Sequence, residues 1–117
     1  MRIEVKGRNM TVSDELRQRV EKRFAKIGKQ VSPLAWMEVE LLEERNPAIR
    51  ESQVAEATLF LKGVTLRARD ASDSMAHSIN LVADELSRQV KRHRDKRRRR
   101  RESAKVSGVP GQTAAPQ

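Results

Sequence analysis

The sequence predicts an α+β fold, a two-layer sandwich with the element order β-α-β-β-β-α, in which a four-stranded sheet carries both helices on one face. Three observations support this prediction. Four segments alternate apolar and polar residues with a period of two, which is typical of strands with one buried face. Two segments repeat apolar residues every three or four positions, which is typical of helices with one buried face. With 117 residues, 37% of them hydrophobic, the chain has enough material for one small core and hence one domain.

The chain begins with a short strand followed by an amphipathic helix. Residues 2–6 alternate between charged and apolar side chains, which predicts the strand. Ser13 is well placed to cap the helix, because a serine side chain can accept a hydrogen bond from a free amide of the first turn. We expect the helix to run to about Lys29. Its predicted buried stripe is Leu16, Val20, Phe24 and Ile27.

Three further strands are predicted after Pro33, which ends the first helix because proline supplies no amide donor. They cover residues 34–43, 53–62 and 64–69. Gly63 fits a tight hairpin between the last two, since glycine readily adopts the positive φ that such turns need. The side chains expected to face the helices are Met37, Val39, Leu41, Ala55, Ala57, Leu59 and Leu61.

The second helix is predicted to begin after capping residues at 70–74 and to run into a block of positive charge. Its apolar stripe is Met75, Ile79, Val82, Leu86, Val90 and His93. Between Arg88 and Arg101 the chain holds ten lysines and arginines and one acid, a local net of +9 that equals the net charge of the whole chain. We divide the chain into a folded domain, residues 1–97, and a basic, disordered C-terminal tail, residues 98–117.

This concentrated charge predicts a polyanionic partner. On the first helix, placing residues at about 100° each puts five bases along one flank of the apolar stripe: Arg19, Lys22, Arg23, Lys26 and Lys29. The sequence has two phenylalanines, one tryptophan and no tyrosine, which argues against proteins that stack single-stranded bases on aromatic side chains. The residues alone therefore predict a polyanion and leave its identity open.

Other functional classes find little support. The chain has no cysteine, and its two histidines stand far apart without a nearby carboxylate cluster, so we predict no metal and no cofactor. It contains no P-loop, GxGxxG or HExxH motif, and we predict a protein that is not an enzyme and has no small-molecule substrate. Neither a signal peptide nor a run of about 20 apolar residues is present, so we expect a cytoplasmic protein without membrane contact.

Three segments carry a resemblance to a known family: Phe24-Ala25-Lys26-Ile27, Ala57-Thr58-Leu59, and the stretch from Leu86 to Lys96. In their order and spacing they resemble the ribosome hibernation-promoting factors, also called ribosome-associated inhibitor or protein Y. The resemblance covers roughly residues 1–97. It implies a fold like that of double-stranded-RNA-binding domains. It also implies binding to the small ribosomal subunit through ribosomal RNA, where the domain blocks the channel for messenger and transfer RNA, inhibits translation and stabilises idle ribosomes.

Matched by position, the resemblance implies RNA contacts by residues of both helices. With Arg19, Lys22 and Lys91 added from the charge pattern, the predicted RNA-binding set is Arg19, Lys22, Arg23, Lys26, Arg88, Lys91, Arg92, His93, Arg94 and Lys96. Residues 76–80 depart from the family, which usually has an aromatic residue followed by Ala-Ala-Ile-Asp, so we expect different packing at the helix start. Long members add a second domain that pairs ribosomes. This chain stops at Gln117, and we expect a monomer that does not itself pair ribosomes.

Two other functions stay open. The arginine run at 97–101 suggests a general binder of structured RNA, and the family's older description as a transcription-factor modulator suggests a protein-interaction module. We also expect the glutamates on the outer sheet face, Glu38, Glu40 and Glu56, to repel RNA and so direct the helices toward it. Trp36 and Phe60 share that face, either packed under the loop at Asn46-Pro47 or forming a partner surface.

Overall fold

The computed structural model describes residues 1–107 and has the predicted order of elements. Residues 2–6 and 64–69 were predicted as strands, and both strands extend two to three residues further than predicted. The elements are β1 (Arg2–Arg8), α1 (Asp14–Gly28), β2 (Trp36–Glu43), β3 (Gln53–Leu61), β4 (Val64–Ser72) and α2 (Met75–Ser107).

The four strands form one mixed sheet in the order β1-β2-β3-β4. β1 and β2 are parallel and joined by α1, whereas the β2–β3 and β3–β4 pairs are antiparallel. Gly63 has a φ of 80°, so the predicted hairpin between β3 and β4 does use a positive-φ glycine. β1 and β4 are the two edges of the sheet.

Both helices pack on the same face of this sheet, as predicted. The side chains of Val20, Phe24 and Ile27 on α1 are fully buried, and so are Ile79 and Leu86 on α2. They meet one face of the sheet, whose fully buried members are Met37, Val39, Leu41, Ala57 and Leu59. Burying each large aliphatic or aromatic side chain contributes about 1.5–3 kcal/mol. Holding the stripes against the sheet leaves the flanks of both helices on the surface.

The start of α1 follows the prediction. The Ser13 side chain accepts a hydrogen bond from the Leu16 amide at 3.1 Å. Asp14 and Glu15 occupy the first turn, where carboxylates complement the helix dipole. The helix ends at Gly28, one residue before the predicted end, with Lys29 as its C-cap.

The start of α2 differs from the prediction, because three of the five residues of the proposed capping cluster belong to β4. Asp70 pairs with Ala55, and Ser72 pairs with Gln53. The fully buried Ser78 donates a hydrogen bond to the Gln53 carbonyl at 2.5 Å, and its hydroxyl lies 2.8 Å from that of Ser72. This network ties the first turn of α2 to the sheet.

The end of α2 also differs from the prediction. The helix continues to Ser107, so residues 98–107 are helical and the prediction of disorder is wrong for them. Arginine is a good helix former, and adding residues to an existing helix avoids the cost of nucleation. Its 33 residues span about 50 Å, against about 30 Å for a nine-residue strand, so the helix projects past the sheet. The remainder of the predicted tail, 108–117, lies outside the described residues.

Within residues 1–107, no helix has both the length and the apolar content needed to cross a membrane.

Candidate nucleic-acid interface

The flanks of α1 and α2 enclose a surface groove, which we call the interhelical groove. The two helices lie side by side, and the Arg23 guanidinium approaches the Asp84 carboxylate to 3.7 Å across their contact. The half near the helix N-termini has a volume of about 400 Å³, and the half toward the C-terminus of α1 has about 240 Å³. Its lining residues are Glu15, Gln18, Arg19, Lys22, Arg23 and Asn80 in the first half, and Lys26, Gln30, Ser87, Arg88, Lys91 and Arg94 in the second.

Seven of the ten predicted RNA-binding residues line this groove: Arg19, Lys22, Arg23, Lys26, Arg88, Lys91 and Arg94. Two of the seven have acidic neighbours, Arg23 with Asp84 and Arg88 with Glu85. For the other five, no carboxylate of the described residues lies within 4.0 Å. All seven side chains are exposed, so the groove presents cations that an anionic ligand can reach.

Arg92 and Lys96 lie outside the groove. Arg92 points to the flank of α2 beside β4, where its guanidinium is 3.7 Å from the Glu85 carboxylate. Lys96 follows Arg92 by four residues and so occupies the same flank of the helix. The sequence places Arg92 and Lys96 on a basic helix, but helical periodicity alone does not predict which flank of α2 faces α1. Their role in RNA binding remains a prediction.

Glu85 organises the β4-facing flank of α2. Gln89 donates hydrogen bonds to the Glu85 carboxylate at 3.1 Å and to the Arg67 carbonyl of β4 at 2.8 Å. Arg88 donates to the other carboxylate oxygen at 3.0 Å. The hydrogen bonds from Gln89 and then Arg88 lower the pKa of the Glu85 carboxyl, because they favour its charged form. The Gln89 bond to β4 joins this flank of α2 to the edge of the sheet.

His93 lies in a different depression, which we call the end cleft. It is half-buried between α2, the segment after α1 and the β3–β4 hairpin. The cleft has a volume of about 180 Å³. Its lining residues are Gln30, Val31, Ser32, Leu61, Lys62, Val90, His93, Arg94, Arg97 and Arg101. Two of them, Gln30 and Arg94, also line the groove, so the two depressions are adjacent.

Asn80 was not predicted as a site residue, although it lines the groove. Its Oδ1 atom is buried and has no hydrogen-bond partner among the described residues. A signal for it was present in the sequence, since the related family usually has an aspartate at this position. Gln18, Gln30 and Ser87 were missed for a simpler reason, because the prediction selected charge and passed over neutral polar residues on the same flanks.

The outer face of the sheet is nearly neutral, because cations accompany the glutamates that were predicted to repel RNA. Lys6 Nζ lies 3.0 Å from Glu38 and 3.9 Å from Glu40, and Arg8 reaches Glu40 at 4.0 Å. The hydrogen bond to Glu38 raises the pKa of the Lys6 ammonium. By register, the charged outward residues are the bases Arg2, Lys6, Arg8, Arg67 and Arg69 and the acids Glu4, Glu38, Glu40 and Glu56.

The two aromatic residues of the outer face pack against each other. Trp36 and Phe60 are cross-strand partners whose rings stack with centroids 4.3 Å apart. The Arg2 guanidinium lies 5.8 Å from the centroid of the Trp36 ring, within the range of a cation–π interaction. The pair sits at the start of β2 and the end of β3, away from the 46–47 loop, so of the two alternatives the packing under that loop is not found.

Among residues 1–107, no group of three or more histidine, cysteine, aspartate or glutamate side chains is arranged to hold a metal ion.

Comparison with known proteins gives concordant matches. A family profile described as Sigma 54 modulation protein / S30EA ribosomal protein matches residues 3–98. A ribosome hibernation promotion factor of Picosynechococcus sp. is 29% identical over 97 residues, covering 82% of this chain and 50% of the relative. A ribosome hibernation promoting factor of Acinetobacter guillouiae is 27% identical over 99 residues, covering 80% and 88%. The chain thus spans half the length of the first of these relatives and most of the second.

Among solved structures, the N-terminal domain of Thermus thermophilus Protein Y superposes with a TM-score of 0.69 at 26% sequence identity. The match covers 80% of this chain and 99% of that domain, so the likeness extends over the whole sandwich.

Proposed function

The chain belongs to the family described as Sigma 54 modulation protein / S30EA ribosomal protein, and on that premise we propose that it is a ribosome hibernation factor. In this proposal it binds the small ribosomal subunit through ribosomal RNA, occupies the channel for messenger and transfer RNA, inhibits translation and stabilises idle ribosomes. The relatives named as hibernation factors support the role, and the interhelical groove supports the mode of binding.

The single observation that carries the binding mode is the line of exposed cations along the groove. Arg19, Lys22 and Lys26 on α1 stand along one wall, with Lys91 and Arg94 of α2 along the other. Lysine and arginine contacts to phosphates fix the position of a protein on RNA without reading its sequence. A-form RNA exposes few base edges to side chains, so a rigid basic groove recognises it mainly by shape.

The proposed inhibition is steric. The bound domain excludes messenger and transfer RNA by filling the space they need, and no covalent bond is made or broken. The protein acts in this scheme as a monomer in the cytoplasm, with the small subunit and its RNA as partner and with no cofactor.

Sedimentation with purified small subunits over a series of salt concentrations tests this proposal. We expect binding at low salt that weakens steeply as salt rises, because phosphate contacts release counterions. A second arm loads the subunits with messenger RNA and an anticodon-paired transfer RNA first, and the loaded subunits should exclude the protein.

Binding measurements on duplex RNA and on variants of the chain separate this function from the two alternative functions. A general binder driven by the arginine run would bind free duplex RNA as well as subunits, and a chain ending at Lys96 would lose binding to both. A protein-interaction module would keep its partner when Arg88, Lys91 and Arg92 are changed to glutamate. Absence of binding at low salt, or binding that is indifferent to salt, would refute our proposal.

A further inference from the structure

The end cleft combines an apolar floor with a rim of cations, which the interhelical groove does not. Val31 and Leu61 are half-buried and form the floor together with Val90, which is 2% exposed. The rim consists of four exposed bases: Lys62, Arg94, Arg97 and Arg101. An apolar surface next to converging cations fits a ligand with one flat uncharged part and one anionic part, as in a nucleotide.

The volume of the end cleft limits which part of a nucleotide it can enclose. Its volume of about 180 Å³ is below the range of about 300–1,000 Å³ usual for sites that enclose a whole small ligand. A nucleobase fits this space, whereas the sugar and phosphate must remain at the rim. The arginines there can stack a guanidinium on the base and also bond phosphate oxygens.

Polar groups for the edge of a base are also present. Gln30 lines the cleft and carries both donors and an acceptor. The Ser32 hydroxyl accepts a hydrogen bond from the Leu34 amide at 3.1 Å, which leaves its own proton free to donate.

The lining residues that the cleft shares with the groove indicate where the nucleotide comes from. Because Gln30 and Arg94 line both depressions, an RNA backbone lying in the groove passes beside the cleft. We propose that the end cleft receives one unpaired base of the RNA held in the interhelical groove, with the base against Val31 and Leu61 and its phosphates between Arg97 and Arg101. This inference rests on the proposed RNA-binding function and adds a nucleotide-specific contact to it.

The chain offers matched controls for the rim. Arg97→Gln with Arg101→Gln removes two charges from the cleft, and Arg99→Gln with Arg100→Gln removes two charges from the same helix at positions that do not line it. For the floor, Val31→Ser is matched by Leu34→Ser, since Leu34 follows in the same connection and is 92% exposed. The two double variants therefore remove equal charge at different positions. Val31 also packs against the core, so urea unfolding is used to check the stability of the Val31→Ser variant.

The test uses two RNA hairpins, one with a single bulged 2-aminopurine and one fully paired. The apolar surface of the extruded base leaves water when it packs against Val31 and Leu61, so the full chain should bind the bulged hairpin about tenfold more tightly than the paired one. The fluorescence of the 2-aminopurine should rise on binding, because the base leaves the helical stack for a cleft lined by aliphatic side chains. The cleft variants should lose this preference, and the control variants should keep it.

Several results would overturn the inference: equal affinity for the two hairpins, equal losses in the cleft and control variants, or no binding of either hairpin at low salt. Sedimentation of the unchanged chain with small subunits is measured alongside. A failure there removes the proposed ribosomal function, whereas subunit binding without a preference for the bulge removes the end cleft alone.

Discussion

Replacing Lys22 and Lys26 by glutamine should weaken binding to small subunits in a way that depends on salt. Both side chains are exposed in the interhelical groove, and no carboxylate of the described residues lies within 4.0 Å of either. Glutamine has nearly the helix propensity of lysine, so the fold of α1 should be preserved. The change therefore removes two of the five uncompensated groove cations and leaves the core intact.

The magnitude follows from counterion release. Each lysine–phosphate contact adds about one to the slope of log K against log salt, so the slope should fall by about two. Because the electrostatic part of binding fades toward about 1 M salt, affinity near 0.1 M should drop by about a hundredfold. Sedimentation or fluorescence anisotropy with labelled protein, at four or more salt concentrations, measures both quantities.

The matched control removes the same charge from the outer face of the sheet. Arg67 and Arg69 are exposed on β4, and Arg67→Gln with Arg69→Gln should leave the slope close to that of the unchanged protein. If both double variants lose affinity and slope equally, net charge governs binding and the groove has no special role. If affinity falls in the groove variant with an unchanged slope, the two lysines do not contact phosphates.

Three further predictions concern stability. Phe24→Ala should lower the free energy of unfolding by about 3–5 kcal/mol, since the ring is fully buried between the layers, and urea unfolding measures it. Gly7→Ala should lower the free energy of unfolding by about 1–3 kcal/mol, because a Cβ would clash with the Met10 carbonyl oxygen. Gly28→Ala is the control and should be tolerated, because its Cβ would make ordinary van der Waals contacts. Equal losses of stability in the two variants would contradict this prediction. The pKa of the Glu85 carboxyl is lower in the folded than in the unfolded protein, so its charged form stabilises the fold above the unfolded pKa, and this contribution is lost as the pH falls through the folded pKa. Glu85→Gln should therefore make the free energy of unfolding depend less on pH on the acid side. Parallel curves for the two proteins would refute the assignment.

The parts of the fold that depend on periodicity were predictable. Met37, Val39 and Leu41 are buried as alternation requires, and the α1 stripe faces the sheet at every predicted position from Val20 to Ile27. A period of two or of 3.6 records which face of an element is buried, because that face must be apolar along its whole length.

The parts that depend on neighbours were not predictable in the same way. β4 continues to Ser72 because β3 supplies hydrogen-bonding partners down to Gln53, which local capping chemistry cannot reveal. Likewise, the stripe of α2 determines that its bases are exposed but not which of its flanks meets α1. Arg92 was therefore grouped with Lys91 by sequence, although the Glu85 cluster holds it on the opposite flank. Long-range contacts of this kind decide the composition of the groove.

The near-neutral sheet face has a consequence for how the protein arrives at its target. With the net positive charge concentrated between Arg88 and Arg101, the molecule has a permanent electric dipole that points toward the C-terminal part of α2. The field of a large polyanion exerts a torque on such a dipole and turns that part of the helix forward before any contact forms. Raising ionic strength should accordingly slow the approach of the protein far more than it hastens its departure.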